Sequence, residues 1–175
     1  MKELLNALDE IIVPRFKQRS AILEEPKNAA YPSTKIRKVG KALFCQFDTD
    51  ELDIFPYFNQ TVPFLNSMCD YTIFYPYENT MFVFLCELKT EKVNNSSKQL
   101  ESAKLFAEFL INMAEKHLNF KKFMIEYRAL IFSTSDKRRF STNVKKDAYS
   151  QYQASQLKYK HLKAGRNCYL DHHCY

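Results

Sequence analysis

Glycine is nearly missing from this chain, with only Gly40 and Gly165 in 175 residues. Phosphate-cradling loops of the P-loop and dinucleotide types need several closely spaced glycines, so both are excluded. Long apolar runs are missing as well. No uncharged stretch approaches the roughly 20 residues that span a bilayer, and no membrane partner is expected. The N-terminus has no basic-then-apolar secretory pattern, because Glu3, Asp9 and Glu10 interrupt it. Internal repeats and low-complexity tracts are also lacking. The five cysteines, Cys45, Cys69, Cys86, Cys168 and Cys174, are odd in number and irregular in spacing, which is not the pattern of a disulfide framework. Cys45 and Cys86 sit inside apolar runs, where a thiol behaves as a small hydrophobe. These features predict a cytoplasmic protein in a reducing compartment.

What is present is a globular composition. Apolar residues make up 46% of the chain, with 15 Phe and 11 Tyr, enough to close one hydrophobic core in a single domain. The net charge is +6 and is unevenly placed. Residues 1–119 carry 14 Lys/Arg against 16 Asp/Glu, whereas residues 120–175 carry 12 against 4. A basic C-terminal third beside a near-neutral body points to a polyanionic partner, although a solvated basic face would have the same composition.

Periodicity predicts a helix over 1–13, from Leu4, Leu5, Leu8, Ile11 and Ile12, ending near Pro14. The polar stretch 19–38, with Pro26 and Pro32, reads as loop. Strands are predicted at 41–48, 69–75 and 81–89, with a turn at Pro76, Glu78 and Asn79. The aromatic segment with Pro56 and Pro63 reads as an irregular excursion. The third strand, MFVFLCELK, is apolar on both faces up to Glu87, as a central covered strand should be. A helix follows at about 97–118, capped by Ser96 or Ser97, with a stripe of Leu100, Ala103, Phe106, Ala107, Leu110, Met113 and Ala114. Residues 123–133 form a fourth strand, and one or two short strands are expected around Gly165. The expected class is α/β (α+β): an αβββαβ core with a mixed central sheet flanked by helices over about 1–133, and a basic C-terminal extension over 134–175.

The chemistry concentrates at the ends of the two middle strands. Asp70 lies near the start of one, and Glu87-Leu88-Lys89 ends the other. The sixteen intervening residues suffice for a hairpin that sets Asp70 beside Glu87. Side chains two apart on a strand share a face, so Glu87 and Lys89 point together and Leu88 points away. Two carboxylates at one sheet end repel unless a hard divalent cation, Mg2+ or Mn2+, takes them as oxygen ligands. The Leu88 carbonyl can add a third oxygen. Lys89 then stands where an amine orients or deprotonates an attacking water, and the set suits hydrolysis of a phosphodiester.

This arrangement resembles the PD-(D/E)XK nuclease superfamily, which has a restriction-endonuclease-like fold. Asp70 in CDYTIFY and Glu87 and Lys89 in CELK match its acidic and E-x-K positions; Cys69 stands where proline is usual. The resemblance covers roughly residues 1–133. It implies a catalytic role for Gln99 at the start of the following helix, and a metal ligand from the first helix, best matched by Glu10, with Glu3 and Glu24 behind it. It implies a metal-dependent nuclease, with DNA favoured over RNA, of the kind found in restriction and in anti-phage or mobile-element defence. Members often form homodimers or work with a partner subunit. The alternative from another class is a catalytically inactive nucleic-acid-binding or subunit-interaction module of the same fold.

Lys137, Arg138, Arg139, Lys145 and Lys146, followed by Tyr149 and Tyr152, form a candidate nucleic-acid surface. Lys158, Lys160, Lys163 and Arg166 extend it. Cys168, His172, His173 and Cys174 carry zinc-ligand chemistry, but their spacing matches no common finger and a packed strand end is the simpler reading. His117, near the end of the long helix, is placed to complement the helix dipole.

Overall fold

The first buried stripe of the chain forms helix α1, Lys2–Ile11. Leu4, Leu5, Ala7 and Leu8 make its inner face. Ile12 turns extended, with its N–H still bonded to the Leu8 carbonyl at 3.0 Å, and Pro14 opens a 3-10 turn over Pro14–Phe16. This computed structural model describes residues 1–25, 28, 30–48, 57–59, 61–62, 65–90, 96–117, 123–134, 148–152 and 155–175.

Among the described residues, ten strands form two sheets. They are β1 (Lys17–Gln18), β2 (Ile22–Leu23), β3 (Thr34–Arg37), β4 (Leu43–Cys45), β5 (Tyr71–Tyr77), β6 (Thr80–Lys89), β7 (Met124–Ser133), β8 (Ser150–Gln151), β9 (Lys158–Lys163) and β10 (Cys168–Tyr169), with helix α2 at Ser96–His117. The main sheet runs β1-β4-β5-β6-β7-β9-β8. It is mixed: β6, β7 and β9 are parallel and the remaining pairs antiparallel. The smaller sheet runs β10-β3-β2. The protein is therefore α/β with a mixed sheet, as expected.

Alternation along β6 sorts the two layers. Met81, Val83 and Leu85 pack with Leu4 and Leu8 of α1 and with Leu100, Ala103, Ala107, Ile111 and Ala114 of α2. Phe82, Phe84, Cys86 and Leu88 pack the other way, against Leu23, Ile36, Cys168 and Leu170. Both helices thus cover one face, and the small sheet covers the other. Parallel neighbours need a long crossover, and α2 supplies the one between β6 and β7.

Three expectations change. The segment 19–38 is not all loop: it holds β2 and β3, which periodicity does not detect because strands of two and four residues span too few alternations. Pro76 is not in the turn. It lies in β5 opposite Met81, and a two-residue loop, Glu78–Asn79, closes the hairpin with Glu78 at φ 50°. The basic extension over 134–175 holds the strands expected around Gly165, but they belong to the two sheets instead of lying outside the core. β9 continues the main sheet alongside β7 and β10 pairs with β3, flanking Gly165, whose φ of 78° suits the turn between them. Ser96 is the first residue of α2, so the cap position itself falls at 95, outside the described residues. The aromatic excursion around Pro56 and Pro63 is also largely outside them. Among the described residues no helix is long and apolar enough to cross a membrane.

Leu130, Ile131 and Phe132 of β7 are at most 1% exposed, and β9 covers that edge. A chain ended at residue 134 loses this cover along with β10. We expect it to lose cooperative thermal unfolding and to bind a hydrophobic dye, while the full chain unfolds in one transition; differential scanning calorimetry separates the two.

Candidate active site

Strand register sets the site. The β5–β6 ladder pairs Tyr71 with Cys86 as its last step. One residue further, the same register sets Asp70 opposite Glu87. There the chain bends, and the Asp70 Oδ2 accepts a hydrogen bond from the Leu88 N–H at 2.5 Å. Asp70 thus caps the open end of the ladder while staying beside Glu87. In a strand, the N–H and carbonyl of one residue point to the same side. The Leu88 carbonyl therefore faces the Asp70 side, and its side chain packs into the opposite layer.

Glu87 is 1% exposed. Neither carboxylate oxygen accepts a well-aligned hydrogen bond among the described residues; the compensation present is an ion pair to the Lys89 ammonium. Lys89 Nζ also donates to Gln99 Oε1 at 3.1 Å, which ties the strand end to the first turn of α2. Four of the residues singled out from sequence, Asp70, Glu87, Lys89 and Gln99, thus come together.

The electrostatics follow from burial. Desolvation pushes Glu87 up to about 8, helped by the Asp70 charge and opposed by Lys89. Desolvation also raises Asp70, to about 6, against the lowering effect of the Leu88 N–H. Glu25 adds to the negative field on Asp70, and Asp48 to that on both. Both were missed in the sequence. Asp48 follows β4, whose register ends at the same edge of the sheet as Asp70. Glu25 is brought in by Tyr71. Its hydroxyl donates to the Glu24 carbonyl at 2.8 Å and accepts from the Glu24 N–H at 3.2 Å, pinning the segment after β2 next to Asp70. Tyr31, in the same stretch, donates to the Phe132 carbonyl at 2.9 Å and feels both site carboxylates.

The remaining candidates lie elsewhere. Glu10 is solvent-exposed on α1, as is Glu3. Lys137, Arg138, Arg139, Lys145 and Lys146 lie outside the described residues. The later basic residues alternate along β9. Lys163 pairs in register with Ser133, and Ser133 with Lys89, so the three form a row across the sheet end on the Glu87 face. Lys158 and Lys160 fall on the opposite face. Tyr152 stacks on Tyr159 at 4.2 Å between ring centroids and packs against the helix-side core, so its ring serves packing. At the C-terminus, Cys168, His173 and Cys174 are buried in the packed strand end, with the Cys174 thiol donating to the Leu170 carbonyl.

A divalent cation fits the donor set at the strand ends, where the buried Glu87 Oε2 has no partner among the described residues. Among the described residues no three His, Cys, Asp or Glu side chains group closely enough to hold a metal by themselves. Asp70 and Glu87 supply two hard oxygens' worth of charge and Leu88 a carbonyl. Magnesium is commonly held in this way, by one or two carboxylates, with water and substrate phosphate completing its shell.

Both carboxyls hold protons in the folded state that the unfolded chain would release. The folded pKa values lie above the unfolded ones, so metal-free stability should fall as pH rises from about 4 to about 8. Glu87→Gln removes the larger part of this slope. We expect the variant to melt higher than wild type at pH 8 and nearly alike at pH 5, by about 2–4 °C for each kcal/mol recovered. Parallel thermal melts across pH, with chelator present, check this.

The chain matches no known protein family, no curated protein and no solved structure.

Proposed function

We propose that this protein is a divalent-metal-dependent nuclease that hydrolyses phosphodiester bonds, with DNA as its substrate. One observation carries the reading: a fully buried carboxylate, Glu87, ends the central strand with Oε1 paired to the Lys89 ammonium and Oε2 without a partner among the described residues, beside a second carboxylate. A buried charge held this way is costly to a fold that uses it only for packing. The cost is explained if the site is built to take positive charge. The resemblance to PD-(D/E)XK nucleases accords with the same residues.

Asp70, Glu87 and the Leu88 carbonyl would hold the cation. When bound, Mg2+ or Mn2+ supplies a low-pKa water and neutralises charge that grows on the phosphate. The chain's own groups do the rest. Lys89 Nζ, fixed between Glu87 Oε1 and Gln99 Oε1, holds a proton at the point where the attacking water must be oriented. Gln99 keeps that amine aimed along the sheet end. Lys163, in the row beyond Ser133, provides positive charge for the backbone of a bound strand.

Lys89→Gln keeps a donor for Gln99 while removing the charge. We expect cleavage of plasmid DNA with Mn2+ to fall by about 10²- to 10⁴-fold, with the fold intact by circular dichroism. Asp70→Asn retains an acceptor for the Leu88 N–H, so it too should fold, yet calorimetry should show stoichiometric Mn2+ binding lost. If Lys89→Gln cuts as fast as wild type, the catalytic assignment fails. If the wild type binds DNA but neither metal nor hydrolysis is detected, the non-catalytic binding module takes its place.

A further inference from the structure

On the face of the main sheet opposite Glu87 lies a second concentration of positive charge. Arg128 of β7 is 6% exposed, and its Nε is buried with no hydrogen-bond partner. It lines a cleft of about 280 Å³ with Ala148, Tyr149, Gln151, Lys158 and Tyr175. Lys158 pairs in register with Arg128 and Lys160 with Leu130, so all three cations stand on this face. The Tyr149 ring gathers two of them: the Arg128 guanidinium lies 5.5 Å from its centroid and Lys160 Nζ 5.7 Å. Tyr149 is itself held by a hydrogen bond from its hydroxyl to the His173 carbonyl at 3.3 Å. Arg128 Nη1 donates to Glu126 Oε2 at 2.5 Å, a carboxylate that is 40% exposed, and to the Tyr127 carbonyl at 3.1 Å.

At the mouth stands Tyr175, 77% exposed. Its hydroxyl meets that of Tyr77 at 2.5 Å and the two rings pack edge to face. An exposed ring held in place offers a flat apolar surface. Gln151 is likewise fixed, its Nε2 donating to the Gln156 carbonyl at 2.9 Å. An arginine lining the cleft, a lysine beside it and a presented aromatic ring form complementary contacts for a phosphate joined to a planar base.

We infer that this cleft binds a nucleoside monophosphate unit, its phosphate on Arg128 and Lys158 and its base on Tyr175. The unit is either a free nucleotide or the 5′-phosphorylated end of a strand. The cleft is too small for a duplex. This inference does not rest on the metal-site reading, because the two sites use different residues on opposite faces of the sheet.

The test uses the full chain with chelator present, so that the Asp70–Glu87 site plays no part. Thymidine 5′-monophosphate and a 5′-phosphorylated oligo(dT) are titrated by calorimetry, with thymidine and the 5′-hydroxyl oligo(dT) as controls. We expect saturable binding of the phosphorylated probes and none of the controls. Lys158→Glu, at an exposed position that should not disturb folding, should weaken binding by about tenfold or more, the loss expected for one charge-assisted hydrogen bond. Arg128→Lys should weaken it further. Amide NMR shifts should fall on Tyr149, Gln151 and Lys158. A much tighter phosphorylated oligonucleotide identifies a strand end as the ligand, and equal affinities identify the free nucleotide. Failure of both phosphorylated probes to bind, equal binding of the hydroxyl controls, or indifference to Lys158→Glu overturns the proposal.

Discussion

A single buried carboxylate organises this molecule. Glu87 sits at the end of the strand that lies fourth of seven in the main sheet, where eight successive residues, Met81–Leu88, are buried. An acid there is expensive to ionise, and the surroundings partly offset this. Lys89 contacts it, Gln99 steadies Lys89, and Asp70 is drawn off to cap the Leu88 N–H. Each of these contacts comes from a different element end, so the site and the edge of the sheet hold one another in place.

Placement of the acid at a strand end matters more than its burial alone. Pairing between β5 and β6 stops at Tyr71 and Cys86. The backbone beyond is free of ladder bonds to its neighbour and turns its polar groups toward the site. Parallel pairing of β6, β7 and β9 carries this edge sideways to Ser133 and Lys163. The alternation that puts Lys163 on the same face as Glu87 puts Lys158 and Lys160 on the other. The lysines of β9 thereby fall into two separate charged regions divided by the thickness of the sheet.

Much of this was legible in the residues. Long periodic elements declare themselves, and α1, α2, β6 and β7 fall where their apolar spacing sets them. Asp70, Glu87 and Lys89 were legible because a charged pair ending an apolar strand is conspicuous, and because hairpin register brings one strand's start to the other's end; Gln99 entered only through the resemblance to PD-(D/E)XK nucleases. Short elements were not. β2 and β3 are too short to show a period and pair with each other, and β10 joins β3 across more than a hundred residues. Glu25, Asp48 and Tyr31 reach the site through such contacts, above all the two bonds between Tyr71 and Glu24, and no local pattern marks them.

The amino-acid sequence by itself determined the mixed α/β class, the two helices, the central strand and the acids and amine at its end. These follow from side-chain periodicity and chain length, which act over a few residues at a time. Tertiary structure alone decided that the C-terminal third completes both sheets, that both helices cover one face, and that further acids crowd Asp70. It also decided that Arg128 is buried beside Tyr149. Those outcomes depend on which distant segments pair, and pairing is chosen by the burial of whole faces against each other.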